Sequence, residues 1–143
     1  MKLEELYAEI AKDFPIKKSD LAGEAIKTSE LWPKYIVLWT QERLKLEQRQ
    51  SGRATLVAIK REYYSGNADP EVYKQKPFNG KSVKTDAGLD RAILSDPDVI
   101  AYDEGTIIQK VKVDALKSAV DECKQRVYVI KDLVKMKIFE DGG

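Results

Sequence analysis

The last third of the sequence carries the pattern that most restricts the fold, a run of apolar residues at alternating spacings of three and four. This apolar seam consists of Val113, Leu116, Val120, Cys123, Val127, Ile130 and Val134. Such spacing places every member on one face of an α-helix, as in coiled coils. The pattern predicts a carboxy-terminal helix over 103–141 with Asp103 as its N-cap. The seam packs either in the chain's own core or between copies of the chain, and we favour self-association through these residues.

The amino-terminal part of the chain is also predicted to be helical. Apolar residues recur at helical spacing from Leu3 to Ile10, and Pro15 ends this first helix. Ser19 is a candidate N-cap for a second helix that extends to Tyr64. Pro33 is expected to kink or restart that helix.

A region rich in glycine and proline separates these helices from the last one, and it predicts loops with short elements. The 143 residues indicate one domain. We therefore predict a mainly all-α fold in a single domain, 1–143, with three parts: long helices over 1–64, an irregular region over 65–102 and the oligomerisation helix over 103–141. The alternative for residues 99–113 is a small β-hairpin around Asp-Glu-Gly.

Composition excludes several classes of chemistry. The chain has no histidine and a single cysteine, Cys123, so histidine-based catalysis, histidine metal sites, disulfides within the chain and multi-cysteine zinc sites are excluded. No P-loop or dinucleotide fingerprint is present. We expect no enzymatic activity and no cofactor.

One acidic cluster deserves comparison with a metal site. Asp96, Asp98, Asp103 and Glu104 offer the oxygen ligands that a hard cation prefers. Aspartates at these positions are also expected to cap helices, and capping accounts for them without an ion. We predict no bound metal.

The amino terminus does not resemble a signal peptide, and the sequence contains no apolar run of the roughly 20 residues that a membrane span requires. The amino-terminal segment is amphipathic and acidic instead. We therefore expect a soluble, cytosolic protein with no membrane partner.

Basic residues concentrate in the middle of the chain. Segment 43–84 has ten basic and four acidic residues, a net charge of +6 in a protein of net charge +1. Aromatic residues are interleaved with them, and positive charge beside aromatic faces is what single-stranded nucleic acid requires. The candidate DNA-binding set is Lys45, Arg49, Arg53, Lys60, Arg61, Tyr64, Lys74, Lys76, Lys81 and Lys84. The alternative is a solvated helix face on a coiled-coil adaptor or scaffold without a nucleic-acid role.

Tyr63 and Tyr64 end the predicted second helix side by side. Tyr64 lies four residues after Lys60 and continues the face that Lys60 shares with Arg53. We predict that Tyr64 is a stacking platform for a base and that Tyr63 faces the core.

Three stretches carry a resemblance to a known family. They are "LEELYAEIAKD", "AIKREYYSG" and "AVDECKQRVYVIKDLVKMKIFEDGG". In this order they resemble the amino-terminal helix, the basic element before paired tyrosines and the carboxy-terminal helix of the UvsY recombination mediators of tailed phages. The similarity extends from Leu3 to Gly142.

The resemblance implies a non-enzymatic accessory protein of homologous recombination, DNA replication and repair. Family members bind single-stranded DNA and assemble as ring-like homo-oligomers, so a hexamer or heptamer is expected. They help a UvsX-type recombinase to displace the phage single-strand-binding protein, which places them in the cytoplasm of the infected bacterial host. In the family a Lys and an Arg two residues apart bind DNA. Lys60 matches the Arg, Ala58 stands at the Lys position, and Arg61 is the candidate replacement.

Overall fold

The computed structural model describes residues 1–142, and five helices account for most of them. They are α1 (Leu3–Asp13), α2 (Leu21–Ser65), α3 (Pro70–Gln75), α4 (Asp86–Leu94) and α5 (Pro97–Glu140). No strand occurs in the described part of the chain, so the all-α prediction is confirmed. The hairpin alternative for residues 99–113 is wrong, because these residues continue α5 without a break. Within residues 1–142 no helix combines the length and apolar character that crossing a membrane requires.

The chain divides into two compact units. Unit 1 comprises Met1–Leu44 and the chain from Ile108 onward, and unit 2 is Lys45–Ile107. The helices α2 and α5 contribute residues to both units. The two short helices of the glycine- and proline-rich region, α3 and α4, belong to unit 2.

The starts of the two long helices are set by aspartates. The Asp20 carboxylate accepts a hydrogen bond from the Gly23 N–H at 3.0 Å, so Asp20 and not Ser19 caps α2. At α5 the Asp96 carboxylate accepts from the N–H groups of Asp98 at 2.8 Å and Val99 at 3.3 Å. Pro97 follows it at the first helical position, where no N–H is needed. The predicted start at Asp103 is therefore wrong, and α5 begins six residues earlier.

The helix α2 continues through Pro33 and ends just before Gly66. Pro33 lies inside α2 and does not end it. Gly66 has a φ of +84°, a backbone conformation that favours glycine. Its N–H donates to the Tyr63 carbonyl at 3.3 Å, and the Asn67 N–H donates to the Glu62 carbonyl at 3.0 Å. The left-handed glycine thus closes α2 directly after the paired tyrosines.

The core of unit 1 is formed by α1, α2 and α5. Its fully buried members are Leu6, Leu31, Tyr35, Leu116, Ala119, Val120 and Cys123. Five of the seven seam residues, Val113, Leu116, Val120, Cys123 and Ile130, are buried within this single chain. The other two, Val127 and Val134, are 52% and 39% exposed. The seam is mainly the chain's own core, and self-association through its exposed members stays a prediction.

A buried arginine joins the helices of unit 1. Arg126 is 2% exposed and donates hydrogen bonds to the Thr28 hydroxyl at 2.8 Å and the Phe14 carbonyl at 2.6 Å. It also forms an ion pair with Glu24. Burial lowers the pKa of the Arg126 guanidinium, and these partners satisfy its donors. The contacts fix α5 against the start of α2 and the end of the α1 segment.

Candidate nucleic-acid interface

In unit 2, Arg49, Arg53 and Lys60 of α2 lie along α5, which runs antiparallel to α2 there. The Arg49 guanidinium lies over the Tyr102 ring, 4.4 Å from its centroid, and donates to the Tyr102 carbonyl at 2.8 Å. It also donates to the Thr106 hydroxyl at 3.1 Å. Gly105 leaves room for this side chain, since a Cβ there would lie 2.5 Å from an Arg49 nitrogen. Arg49 therefore serves the packing of the two helices.

Arg53 and Lys60 pair with carboxylates near the start of α5. Arg53 forms a bidentate pair with Asp103, at 2.8 and 3.1 Å. The Lys60 ammonium lies 3.3 Å from Asp96 and 2.6 Å from Asp98, and only 12% of its side chain is exposed. Burial alone would lower the pKa of Lys60, but the two carboxylates raise it above its ordinary value. Lys60 is thus a cation that is held by acids of its own chain.

Tyr64 belongs to the same network. Its hydroxyl donates to Asp96 at 2.6 Å, and burial together with this hydrogen bond raises the pKa of Tyr64 to about 12. The ring makes edge contacts with Tyr63, at 5.1 Å between centroids, and with Phe78, at 5.5 Å. Tyr63 in turn stacks on Tyr73, with centroids 5.4 Å apart. Both tyrosines are half-buried in one aromatic cluster, and base stacking on Tyr64 stays a prediction.

The aromatic cluster also holds the segment that follows α2. The Tyr73 hydroxyl donates to the Tyr63 carbonyl at 2.7 Å, and the Val83 N–H donates to the Tyr64 carbonyl at 2.9 Å. Phe78 lies 5.4 Å from Tyr63 between ring centroids. These contacts bring the segment that carries Lys74, Lys76, Lys81 and Lys84 to the end of α2 that carries Lys60.

Most of the remaining cations are open to solvent. Arg61 is 41% exposed and pairs with Asp90 of α4 at 2.6 Å. Lys76 is 68% exposed and lies 3.4 Å from Asp98, while Lys74 is 72% exposed and pairs with Glu71. Three further lysines of the candidate set are exposed: Lys45, Lys81 and Lys84. Lys81 and Lys84 make no ion pair with any residue of the described chain.

A cleft of about 470 Å³ marks the centre of the candidate site. Its charged lining consists of Lys60 and Lys76 together with Asp96 and Asp98, and Tyr64 forms part of its wall. Burial alone would raise the pKa of Asp96, but hydrogen bonds from Tyr64 and the α5 backbone and the charge of Lys60 outweigh burial and hold this pKa below its ordinary value. The carboxylates are therefore charged at neutral pH, and a phosphate reaching Lys60 has to replace them.

Spacing and charge in the sequence identify the cations but not their acidic partners. The sequence pattern assigns Asp98 and Asp103 to helix caps and does not single out Asp90, although each of the three pairs with a member of the candidate set. The sequence does contain a signal for these partners: if α2 and α5 are antiparallel, the acids near the start of α5 lie opposite the basic residues of α2. Among residues 1–142 no cluster of acidic or thiol side chains is arranged to hold a metal ion.

The fold and this site define a class: an all-helical protein that brings basic and aromatic side chains together at one end of a long helix. Residues 9–143 match the family described as "Recombination, repair and ssDNA binding protein UvsY". The chain is 25% identical over 142 residues to the recombination protein uvsY of Enterobacteria phage T4, with 99% of each chain covered. The chain belongs to the UvsY family of recombination, repair and single-stranded-DNA-binding proteins, which confirms the resemblance.

Solved structures share the fold. One crystal structure of the bacteriophage T4 recombination mediator protein UvsY, of lattice type IV, matches with a TM-score of 0.79 at 24% identity, covering 98% of this chain and 99% of that one. Another, of lattice type II, matches with a TM-score of 0.81 at 23% identity, covering 99% of this chain and 98% of that one. The helical arrangement is therefore common to this chain and the phage T4 protein.

Proposed function

We propose that this protein is a recombination mediator that binds single-stranded DNA and helps a UvsX-type recombinase to displace the phage single-strand-binding protein. The observation that carries the proposal is the family match over residues 9–143, which includes the whole cationic region of unit 2. The similar phage T4 protein is itself described as a recombination mediator.

The proposed DNA contacts differ in how accessible their cations are to phosphates. Arg61, Lys74, Lys76, Lys81 and Lys84 are open enough to meet phosphates directly. Exposed ion pairs such as Arg61–Asp90 are worth only about 0–1 kcal/mol, so a phosphate can replace the carboxylate at little cost. Lys60 is more enclosed, and we assign it a smaller share of the phosphate contacts than its place in the sequence indicates.

We further propose that the protein works as a homo-oligomer. The carboxy-terminal part of α5 leaves apolar side chains uncovered, among them Val134 at 39%, Met136 at 57% and Phe139 at 84% exposure. Apolar groups of this number on one helix are covered in most soluble proteins by another surface. A second copy of the same helix supplies one.

The proposed mechanism uses binding energy alone. The sequence has no P-loop, so work on the DNA comes from several weak sites acting together on one oligomer. Linked sites raise the overall affinity by roughly 10²–10⁴ without new contacts. An assembly of this kind can bend a strand and loosen a competing protein, after which the recombinase enters and hydrolyses its own nucleotide.

Recombinase ATPase activity tests the proposal. The substrate is single-stranded DNA coated beforehand with the phage single-strand-binding protein, and the same DNA without that coat is the control. We expect this protein to stimulate ATP hydrolysis on the coated DNA much more than on bare DNA. Equal rates with and without this protein on coated DNA would reject the mediator role. Absence of a salt-dependent affinity for single-stranded DNA would favour the scaffold alternative.

A further inference from the structure

Unit 1 carries a second group of cations and aromatic rings, centred on the two tryptophans of the chain. Trp32 and Trp39 lie seven residues apart on α2, so they share one helix face. Trp32 is 46% exposed, so a large part of its indole ring is accessible to solvent. We call the surface formed by Trp32, Trp39, Arg43, Lys117 and Lys124 the tryptophan face.

Trp39 holds two cations at this surface. The Arg43 guanidinium carbon lies 5.0 Å from the centroid of the indole, and the Lys117 ammonium lies 5.7 Å from it. Both distances are within the range of cation–π attraction. The indole N–H is buried and has no acceptor among residues 1–142, so packing and the two cations hold the ring. Trp39 therefore fixes one cation from each of two helices in the same place.

Trp32 presents an open ring beside a third cation. Trp32 and Lys124 line the same groove, of about 380 Å³, together with Ser29 and Val127. A base can stack on an exposed indole whatever its sequence, because every base has a π-face. Because Lys124 lines the same groove, its ammonium is the candidate partner for the phosphate of that nucleotide.

The lysines of α5 extend this arrangement along the helix. Lys110, Lys117, Lys124 and Lys131 recur at intervals of seven, which returns each to nearly the same face about 10.5 Å further on. Lys117 pairs with Asp121 at 3.0 Å, but both side chains are about half exposed, at 51% and 53%. Such a pair exchanges readily for a phosphate. By contrast, Lys60 of unit 2 pairs with Asp96, whose side chain is only 5% exposed, so this pair exchanges less readily for a phosphate.

We infer that the tryptophan face is a second contact surface for single-stranded DNA, in addition to the cations of unit 2. Trp32 stacks a base, while Arg43, Lys117 and Lys124 meet phosphates. The inference rests on the proposed DNA binding and adds a site to it. An aromatic platform flanked by cations from two helices matches a single strand, which offers bases and phosphates together, better than it matches an apolar protein surface.

Tryptophan fluorescence tests this site directly, because both tryptophans of the chain lie on the face. An oligothymidylate with a terminal dye is titrated with the protein, and dye anisotropy reports binding while indole emission reports the site. We expect binding to quench the emission. The change Trp32→Ala should lower the affinity at least about fivefold and leave the salt dependence of binding unchanged, since a stacked base carries no counterion to release.

The lysines are tested by the salt dependence. The double change Lys117→Gln with Lys124→Gln should make the slope of log affinity against log salt shallower by about 1.4, because each lost phosphate contact removes about 0.7. Its matched control is Lys12→Gln with Lys18→Gln, two exposed lysines of the same unit that lie outside the face. The control should keep the wild-type slope, and circular dichroism checks that all variants fold.

Two results would overturn the inference and leave the proposed function intact. If anisotropy reports binding while the indole emission stays constant and both double variants have the wild-type slope, the tryptophan face does not contact DNA, and the proposed function stands without it. If the Lys117 and Lys124 changes alter the mass in light scattering but not the slope, the face lies between copies of the chain. Absence of any binding by the wild-type protein would instead reject the proposed function together with the inference.

Discussion

Lys60 has a structural task as well as a proposed role in DNA binding. Its ammonium lies between Asp96 and Asp98, and Asp96 also accepts hydrogen bonds from Tyr64 and from two N–H groups in the first turn of α5. One carboxylate thus joins the end of α2 to the start of α5 in unit 2. A loss of DNA affinity on changing Lys60 has to be separated from a loss of this connection.

We predict that Lys60→Ala lowers the free energy of unfolding by about 1–3 kcal/mol, because the nearly buried Asp96 carboxylate loses its cation. Urea denaturation at pH 7 measures the difference. Lys84→Ala is the matched control: Lys84 is exposed and makes no ion pair within the described residues, so its change should stay within about 0.5 kcal/mol of the wild type. Equal stability of the two variants would show that the Lys60 network contributes nothing to the fold.

Asp96 makes the stability depend on pH in a defined direction. Although burial alone would raise its pKa, hydrogen bonds and the charge of Lys60 hold the pKa below the ordinary value of 3.8. A depressed pKa in the folded state stabilises the protein above the unfolded value, and this contribution is lost as pH falls through the folded value. Asp96→Asn keeps the helix cap but removes the charge.

We therefore predict that the stability difference between wild type and Asp96→Asn is largest near pH 5 and shrinks toward pH 3. Urea denaturation at pH 5, 4 and 3 supplies the free energies of unfolding. A difference that stays constant over this range would mean that the charge of Asp96 has no net effect on folding.

At the scale of helices, the apolar seam of α5 was visible in the sequence, but its covering was not. The spacing from Val113 to Val134 marks one face of a helix, and five of the seven residues are indeed buried. The spacing of the apolar residues indicates only that one face of the helix is buried. Leu6 and Tyr35 of the same chain pack against this face. Their position depends on how α1 and α2 fold onto α5, and no local sequence pattern determines that.

The candidate site was predictable to a similar extent. The cations and tyrosines of unit 2 were identified from spacing and charge, whereas their ion pairs were not, because partners such as Arg53 and Asp103 are fifty residues apart in the chain. The start of α5 was missed because Asp-Glu-Gly at 103–105 has the composition of a turn. The structure shows that Gly105 is needed inside the helix to make room for Arg49.

Two valines of the seam separate self-association from folding. We predict that Val134→Asp, at a 39% exposed position, keeps the helical content of the wild type but lowers the mass of the assembly, since a charge on an uncovered apolar helix opposes contact with a second copy. Val120→Asp, at a 4% exposed position, should unfold unit 1 because it buries an unpaired charge. Val127 is less suitable for this test, because it lines the groove beside Trp32.

Light scattering and circular dichroism distinguish loss of assembly by Val134→Asp from unfolding by Val120→Asp. A monomeric wild type at micromolar concentration would contradict self-association through α5.

For the whole molecule, charge is distributed unevenly around a total near zero. The protein has a net charge of +1, while segment 43–84 has +6. Long-range attraction of DNA to a neutral chain is weak, so affinity depends on local cations and on how many copies of them act together. One copy makes few phosphate contacts, so we expect its binding to be weak and its log affinity to fall only gently with log salt.

Oligomerisation should therefore change the affinity for long DNA much more than that for short DNA. An oligonucleotide that covers one subunit engages a single set of cations in either form, whereas a strand that spans several subunits binds them at high effective concentration. We predict that Val134→Asp leaves affinity for the short oligonucleotide nearly unchanged and lowers affinity for the long strand by roughly 10²–10⁴. Anisotropy with the two lengths at one salt concentration measures both values. In the recombinase assay on coated DNA, the same variant should lose stimulation. An equal loss of affinity for both lengths would indicate damage to the binding site, and full stimulation by a proven monomer would show that a single chain suffices for loading.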